Sequence, residues 1–113
     1  MQMTQSYDCD NGWIQLIDEA KNIITKYNEN HLDQTPLEFI QIKEKWGGLC
    51  LYLNYYVPEI SDKIHEIEHK SFSICEHCGT DKQVKTAWTH GWVMTLCDKC
   101  RKLYIDKYES LDE

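Results

Sequence analysis

Four cysteines in two closely spaced pairs are the residues of this chain best suited to chemistry. Cys75 and Cys78 form one Cys-x-x-Cys pair, Cys97 and Cys100 form the other, and eighteen residues separate them. Two cysteines three positions apart on a tight turn can present both sulfurs to one ion, and two such pairs complete a tetrahedron. Because four thiolates leave no open coordination position, the spacing predicts one structural Zn²⁺ rather than a catalytic metal.

Other uses of the cysteines are less well supported, although one stays open. A redox dithiol needs a single pair in a thioredoxin-like frame, which this sequence lacks. Iron held by four cysteines fits the same ligands and remains an alternative. We expect Cys9 and Cys50 to be unpaired thiols, with Cys50 buried in a strand.

A second metal-binding motif is present in the sequence, but we do not expect it to bind a metal. His65, Glu66 and His69 match the H-E-x-x-H signature of zinc proteases. On a helix, both histidines lie roughly 130–170° away from the apolar side, at about 100° per residue. We therefore expect them to face solvent, with no catalytic role.

Composition and charge narrow the class of protein. The chain has 113 residues, 42% hydrophobic content and a formal net charge of −7, which disfavours direct nucleic-acid binding. No apolar stretch is long enough to span a membrane, and the N-terminus does not resemble a secretory signal, so we expect a cytoplasmic protein. A local basic bias in the last third keeps a nucleic-acid-binding zinc module as the runner-up; it comes from Lys82, Lys85, Lys99, Arg101, Lys102 and Lys107.

The elements that must position the cysteines follow from periodicity, glycine and proline. Apolar spacings of three and four predict helices, and period-two alternation predicts strands, with Ile40 and Ile42 on one face of the first strand. Gly47 and Gly48 are predicted to form its turn. The predicted elements are a helix over 11–30, strands over 37–45 and 49–57, a helix over 58–71, a cysteine turn over 73–80, strands over 83–88 and 92–96, and a helix over 98–111.

These elements predict an α+β fold made of one domain over residues 1–113. Residues 73–111 would form a treble-clef zinc-binding subdomain, in which a cysteine knuckle is followed by a hairpin and a helix that begins with the second cysteine pair. The N-terminus of that helix carries partial positive charge, which favours thiolates at Cys97 and Cys100.

The sequence resembles a family of small phage and bacterial proteins without a settled activity. The resemblance covers about residues 11 to 104. It rests on Gly12-Trp13 with Leu16-Ile17, on the run Gln41-Ile42-Lys43-Glu44-Lys45-Trp46-Gly47-Gly48-Leu49, on Cys75-Glu76-x-Cys78-Gly79 and on Trp92-x-x-Thr95-Leu96-Cys97-x-x-Cys100. Relatives usually carry arginine where this chain has Cys50. The resemblance implies the fold and a mobile-element setting, and it supplies no reaction.

The treble clef also resembles the scaffold of HNH nucleases. Those enzymes need a histidine base on the hairpin and a further His or Asn ligand on the helix that follows. The hairpin offers only His90, and residues 98–111 contain neither His nor Asn. We therefore expect no nuclease activity, and no nucleophile–base pair for another enzyme can be assembled from the sequence.

The function predicted from these observations is protein binding. The chain is small, acidic and rich in aromatic residues, and exposed Trp and Tyr side chains are favoured interface anchors. Trp46 at the first hairpin turn, with Trp88 and Trp92 beside the second, are the predicted contact residues. We predict that this chain is an anti-CRISPR-like protein encoded by a phage or mobile element. Its predicted partner is a host or defence protein complex, which it would inhibit.

Overall fold

The computed structural model describes residues 11–89 and 91–111. Its elements follow the predicted order and confirm the α+β class. The helices and strands are, in chain order, α1 Ile14–Glu29, β1 Phe39–Lys45, β2 Gly48–Leu53, α2 Pro58–Lys70, β3 Val84–Thr89, β4 Trp92–Cys97 and α3 Asp98–Leu111. A short 3₁₀ helix leads into α1, two antiparallel hairpins flank α2, and α3 is the last described element.

The larger hydrophobic core lies among α1, α2 and the β1–β2 hairpin. Residues spaced by three and four along each helix supply it, as amphipathic helices require. Trp13, at the start of α1, is fully buried, and its indole N–H donates to the carbonyl of Ile74 at 2.9 Å. This bond ties the N-terminal half to the segment that enters the cysteine knuckle.

The turn of the first hairpin differs by one residue from the prediction. Its two central residues are Trp46 and Gly47, both with positive φ (55° and 83°), and Gly48 already pairs with Lys45 in the ladder. A two-residue turn with positive φ at both positions matches the right-handed twist of paired strands. Gly48 serves packing instead, because a Cβ there would lie 2.5 Å from the ring of Phe72.

The prediction that Ile40 and Ile42 lie on one face of β1 was wrong. The register shifts between Phe39 and Gln41, so β1 carries one extra residue opposite Leu53. Such a bulge reverses the alternation of side chains beyond it. Phe39 and Ile42 are consequently buried, whereas Ile40 is 67% exposed.

Side chains of α2 and the turn after it cover the outer edge of β2. The backbone N–H of Leu49 donates to Ser71 Oγ at 2.9 Å, and that of Leu51 donates to Glu68 Oε2 at 2.8 Å. Covering an edge in this way satisfies its donors and blocks pairing with another chain. Ser71 follows α2 directly and is fully buried, and the sequence did not predict this contact.

The second half has the knuckle, hairpin and helix of a treble clef. Its apolar core is small and centres on Leu96 and three of the cysteines. The guanidinium of Arg101, in α3, donates to the carbonyls of Lys85 at 2.5 Å and Leu96 at 3.4 Å, which fastens the helix to both strands. Within the described residues, no helix combines the length and apolarity needed to cross a lipid bilayer.

Candidate metal centre

The structure brings the four predicted ligands together. Cys75 and Cys78 lie in the knuckle, Cys97 ends β4, and Cys100 lies in the first turn of α3. All four Sγ atoms lie within 4.8 Å of one another, and Cys78 Sγ is 3.8 Å from Cys97 Sγ. In a tetrahedron with Zn–S bonds of about 2.3 Å, the sulfurs are about 3.8 Å apart. The cluster therefore has the size and donor set for one metal ion.

Backbone hydrogen bonds shape both halves of the cluster in the same way. The N–H of Cys78 donates to Cys75 Sγ, and the N–H of Cys100 donates to Cys97 Sγ, each at 3.4 Å. The knuckle is closed by a bond from the Gly79 N–H to the Cys75 carbonyl at 2.9 Å. Gly79 has φ of 86°, a conformation that glycine adopts without steric cost.

The electrostatics of the cluster concentrate negative charge at one sulfur. Burial would raise the pKa of the Cys75 thiol, but backbone N–H groups of Cys78, Cys97 and His77 outweigh it and lower that pKa to about 6. Burial, followed by hydrogen bonds to the neighbouring thiols, raises the pKa of Cys100 well above its ordinary value, so the prediction that the helix N-terminus favours a thiolate at Cys100 was wrong. A bound divalent cation would replace the protons on such thiols and neutralise the charge they leave.

The described residues contain no other group of three or more His, Cys, Asp or Glu side chains that could hold a metal. Cys75, Cys97 and Cys100 are buried, whereas Cys78 is exposed. Four thiolates would occupy every position of a tetrahedral ion, so the arrangement suits a structural metal.

Glu76, between the first two ligands, joins the knuckle to β4. Its side chain is buried, and Oε1 accepts a hydrogen bond from the Thr95 N–H at 2.8 Å. Its own N–H donates to the Thr95 carbonyl at 2.9 Å, and its carbonyl accepts from the Gly12 N–H at 2.9 Å. The knuckle is thereby held against β4 and also holds the start of α1.

Thr95 extends this network to the turn of the first hairpin. Its hydroxyl donates to the Gly47 carbonyl at 2.5 Å and lies 2.6 Å from Thr86 Oγ1. Since the only proton of the Thr95 hydroxyl goes to Gly47, the Thr86 hydroxyl is the donor of the second bond. We name the residues Gly12, Gly47, Glu76, Thr86 and Thr95 the knuckle network.

Sequence reasoning missed the knuckle network, although one signal pointed to it: Gly12 directly precedes a core tryptophan. The acidic side chain of Glu76 gave no signal, because Asp98, which lies between the other two ligands, is simply exposed. A Cβ on Gly12 would lie 2.2 Å from the carbonyl oxygen of Cys75, so only glycine fits there.

Comparison of the chain with protein-family models, with curated proteins and with solved structures gave no match. The four-cysteine cluster therefore carries the assignment of the site. The resemblance to small phage and bacterial proteins stays a prediction.

The other residues singled out in the sequence lie away from the cluster. Trp46, Trp88 and Trp92 are exposed as expected, at 67%, 68% and 65%. His65 and His69 lie on the exposed side of α2. Cys50 is in β2 but only half-buried, because it points to the face opposite Leu49 and Leu51. Cys9 and His90 are outside the described residues.

Proposed function

We propose that this chain is a non-catalytic protein-binding module whose C-terminal half is stabilised by one zinc ion at Cys75, Cys78, Cys97 and Cys100. The observation that carries the proposal is the exposure of three indole rings at about two-thirds of their area, in a chain that also holds a cluster suited to a structural metal. Tryptophans are enriched among the residues that contribute most to protein interfaces.

Zinc is the metal that best matches the ligand set. It takes four thiolates in tetrahedral geometry, at bond lengths that match the 3.8 Å separation of Cys78 and Cys97. Iron accepts the same ligands, so metal analysis of the purified protein decides between them. Because no coordination position would stay open, the ion would order the hairpin and α3 rather than take part in a reaction.

Two of the indoles border one junction between the hairpins. Gly47 packs closely against the second hairpin: a Cβ there would lie 3.3 Å from Val93 Cγ1. Trp46 precedes Gly47 in the chain, and Trp88 is the cross-strand partner of Val93. Rings held by two separate elements at a fixed junction form a rigid surface, which lowers the entropy lost on binding.

Charge supports a protein partner with a basic face. The net charge of −7 would speed encounter with a positively charged surface, such as the nucleic-acid groove of a host or defence complex. The mobile-element setting implied by the sequence resemblance favours such a target. The basic residues of the last third give little support to the alternative of nucleic-acid binding, because Arg101 donates to backbone carbonyls and Lys82 pairs with Asp81 at 3.6 Å.

Affinity capture from host lysate tests the proposal, using zinc-loaded wild type and the variants Trp46→Ala, Trp88→Ala and Tyr56→Ala. Tyr56 is a matched control, since it is 74% exposed but lies after β2. A captured protein is then purified, and its binding to each variant is measured directly. We expect the two tryptophan variants to bind at least about 30-fold more weakly, as for interface hot spots, and Tyr56→Ala to bind like wild type.

Two results would contradict the proposal. One is a folded, zinc-loaded wild type that retains no protein from the lysate. The other is a purified partner that binds Trp46→Ala and Trp88→Ala as tightly as wild type. Zinc content measured on every variant ensures that lost binding is not lost metal.

A further inference from the structure

The four ligands differ sharply in their access to solvent. Cys75, Cys97 and Cys100 are 0%, 6% and 7% exposed, whereas Cys78 is an exposed residue. A cleft of about 240 Å³ also opens beside Cys78, between the start of α1 and the knuckle. Within the part of the chain that the structure describes, a small solute can therefore reach Cys78 without any opening of the fold.

The walls of the cleft explain why it is open. Gly12 and Gly79 line it next to Cys78, and neither has a side chain to fill it. Neither glycine can be replaced without cost, since a Cβ on Gly12 would meet the knuckle backbone and Gly79 has positive φ. Gln15, which is exposed, lies at the rim. Because the contact between α1 and the knuckle requires these two glycines, no side chain of theirs fills the cleft, and Cys78 stays accessible.

We propose that Cys78 is a site of oxidation by hydrogen peroxide, and that its oxidation to a disulfide with Cys97 releases the metal. The two sulfurs are 3.8 Å apart, and a disulfide needs about 2.05 Å, so they must approach by less than 2 Å once oxidation has removed Cys78 from the ligand set. The inference rests on the metal site of the proposed function and does not depend on the proposed binding partner.

The chemistry balances in two steps. The Cys78 thiolate attacks one oxygen of hydrogen peroxide, an S–O bond forms, the O–O bond breaks and hydroxide leaves, which gives a sulfenic acid. The Cys97 thiolate then attacks the sulfenic sulfur, the S–S bond forms and a second hydroxide leaves. Two thiolates have lost two electrons, and the peroxide has gained them. Only Cys75 and Cys100 then remain as ligands, too few to hold the ion.

The test follows zinc release from zinc-loaded protein treated with hydrogen peroxide, using a chromogenic chelator, with peptide mapping of alkylated thiols at early times. Cys78→His removes the accessible thiolate and keeps a ligand set that zinc accepts. We expect its release to be at least about tenfold slower, because buried thiolates become accessible only by local opening. Cys50→Ser removes a half-buried thiol outside the cluster and is expected to release zinc at the wild-type rate.

A second variant keeps the test decisive if Cys78→His loses the metal. Gln15→Trp adds bulk at the rim of the cleft, alters no ligand, and is expected to slow release. The first disulfide mapped in wild type is expected to join Cys78 to Cys97. Release from Cys78→His at the wild-type rate, unchanged release from Gln15→Trp, or a first disulfide between another pair would overturn the inference. A chain that takes up no zinc would instead contradict the proposed function.

Discussion

Removing the Glu76 carboxylate is the perturbation that most directly tests how the metal centre is joined to the rest of the fold. Glu76 is only 6% exposed, and its Oε1 accepts from the Thr95 N–H at 2.8 Å. Glu76→Ala leaves that N–H without its acceptor inside the protein. Glu76→Gln keeps one oxygen as an acceptor for that N–H and replaces the other with an uncharged NH₂ group.

The magnitude follows from two contributions. An unsatisfied buried donor costs about 1–3 kcal/mol, and the loss of the buried Cγ methylene group costs roughly 0.8 kcal/mol. We therefore expect Glu76→Ala to lower the free energy of unfolding by about 2–4 kcal/mol. For a domain of this size, 1 kcal/mol shifts Tm by about 4–5 °C, so its Tm should fall by roughly 8–20 °C. Glu76→Gln should lose about half as much, since a hydrogen bond to a neutral acceptor is weaker.

The assay is urea and thermal unfolding of wild type, Glu76→Ala, Glu76→Gln and Glu66→Ala, all in the same excess of free zinc so that metal linkage is constant. Glu66, on the exposed side of α2, is the matched control and should change stability by less than about 0.5 kcal/mol. The reasoning is refuted if Glu76→Ala unfolds within that same margin of wild type.

Three further predictions concern the centre itself. Removing zinc with a chelator should abolish hydrogen-exchange protection in β3, β4 and α3 while the α1–α2 core keeps it, because the second core is small; uniform protection before and after chelation would contradict this. Zinc affinity measured by chelator competition should fall by at least about 100-fold per pH unit from about pH 8 to about pH 6.5, because the raised pKa values of Cys78 and Cys100 leave at least two protons to displace; an affinity independent of pH would argue against this. Gly12→Ala should cost about 3 kcal/mol of stability, since its Cβ would meet the knuckle backbone at 2.2 Å; a wild-type Tm would show that the knuckle moves freely.

Local patterns made the element order and the metal ligands predictable from sequence. Ile60, Ile64 and Ile67 share one helical face and are buried, and the two cysteine pairs converge as their spacing indicated. Both features depend on short-range periodicity or on the covalent geometry of a tight turn. Neither requires knowledge of which elements meet in three dimensions.

Features that depend on contacts distant in the sequence could not be predicted. The bulge at Ile40 is defined by the register in which β1 pairs with β2, and the pattern of hydrophobic residues in the sequence does not reveal an inserted residue. Thr95 and Gly47 are 48 residues apart, so their hydrogen bond becomes visible only once both hairpins are placed. The role of Glu76 follows from the same packing, which single-sequence reasoning does not supply.

X-ray absorption at the metal edge of protein purified without chelators tests the central claim most directly, because it reads both the element and its ligands. The account predicts zinc with four sulfur neighbours at about 2.3 Å. A spectrum dominated by nitrogen or oxygen neighbours, or protein with no metal bound, would contradict it.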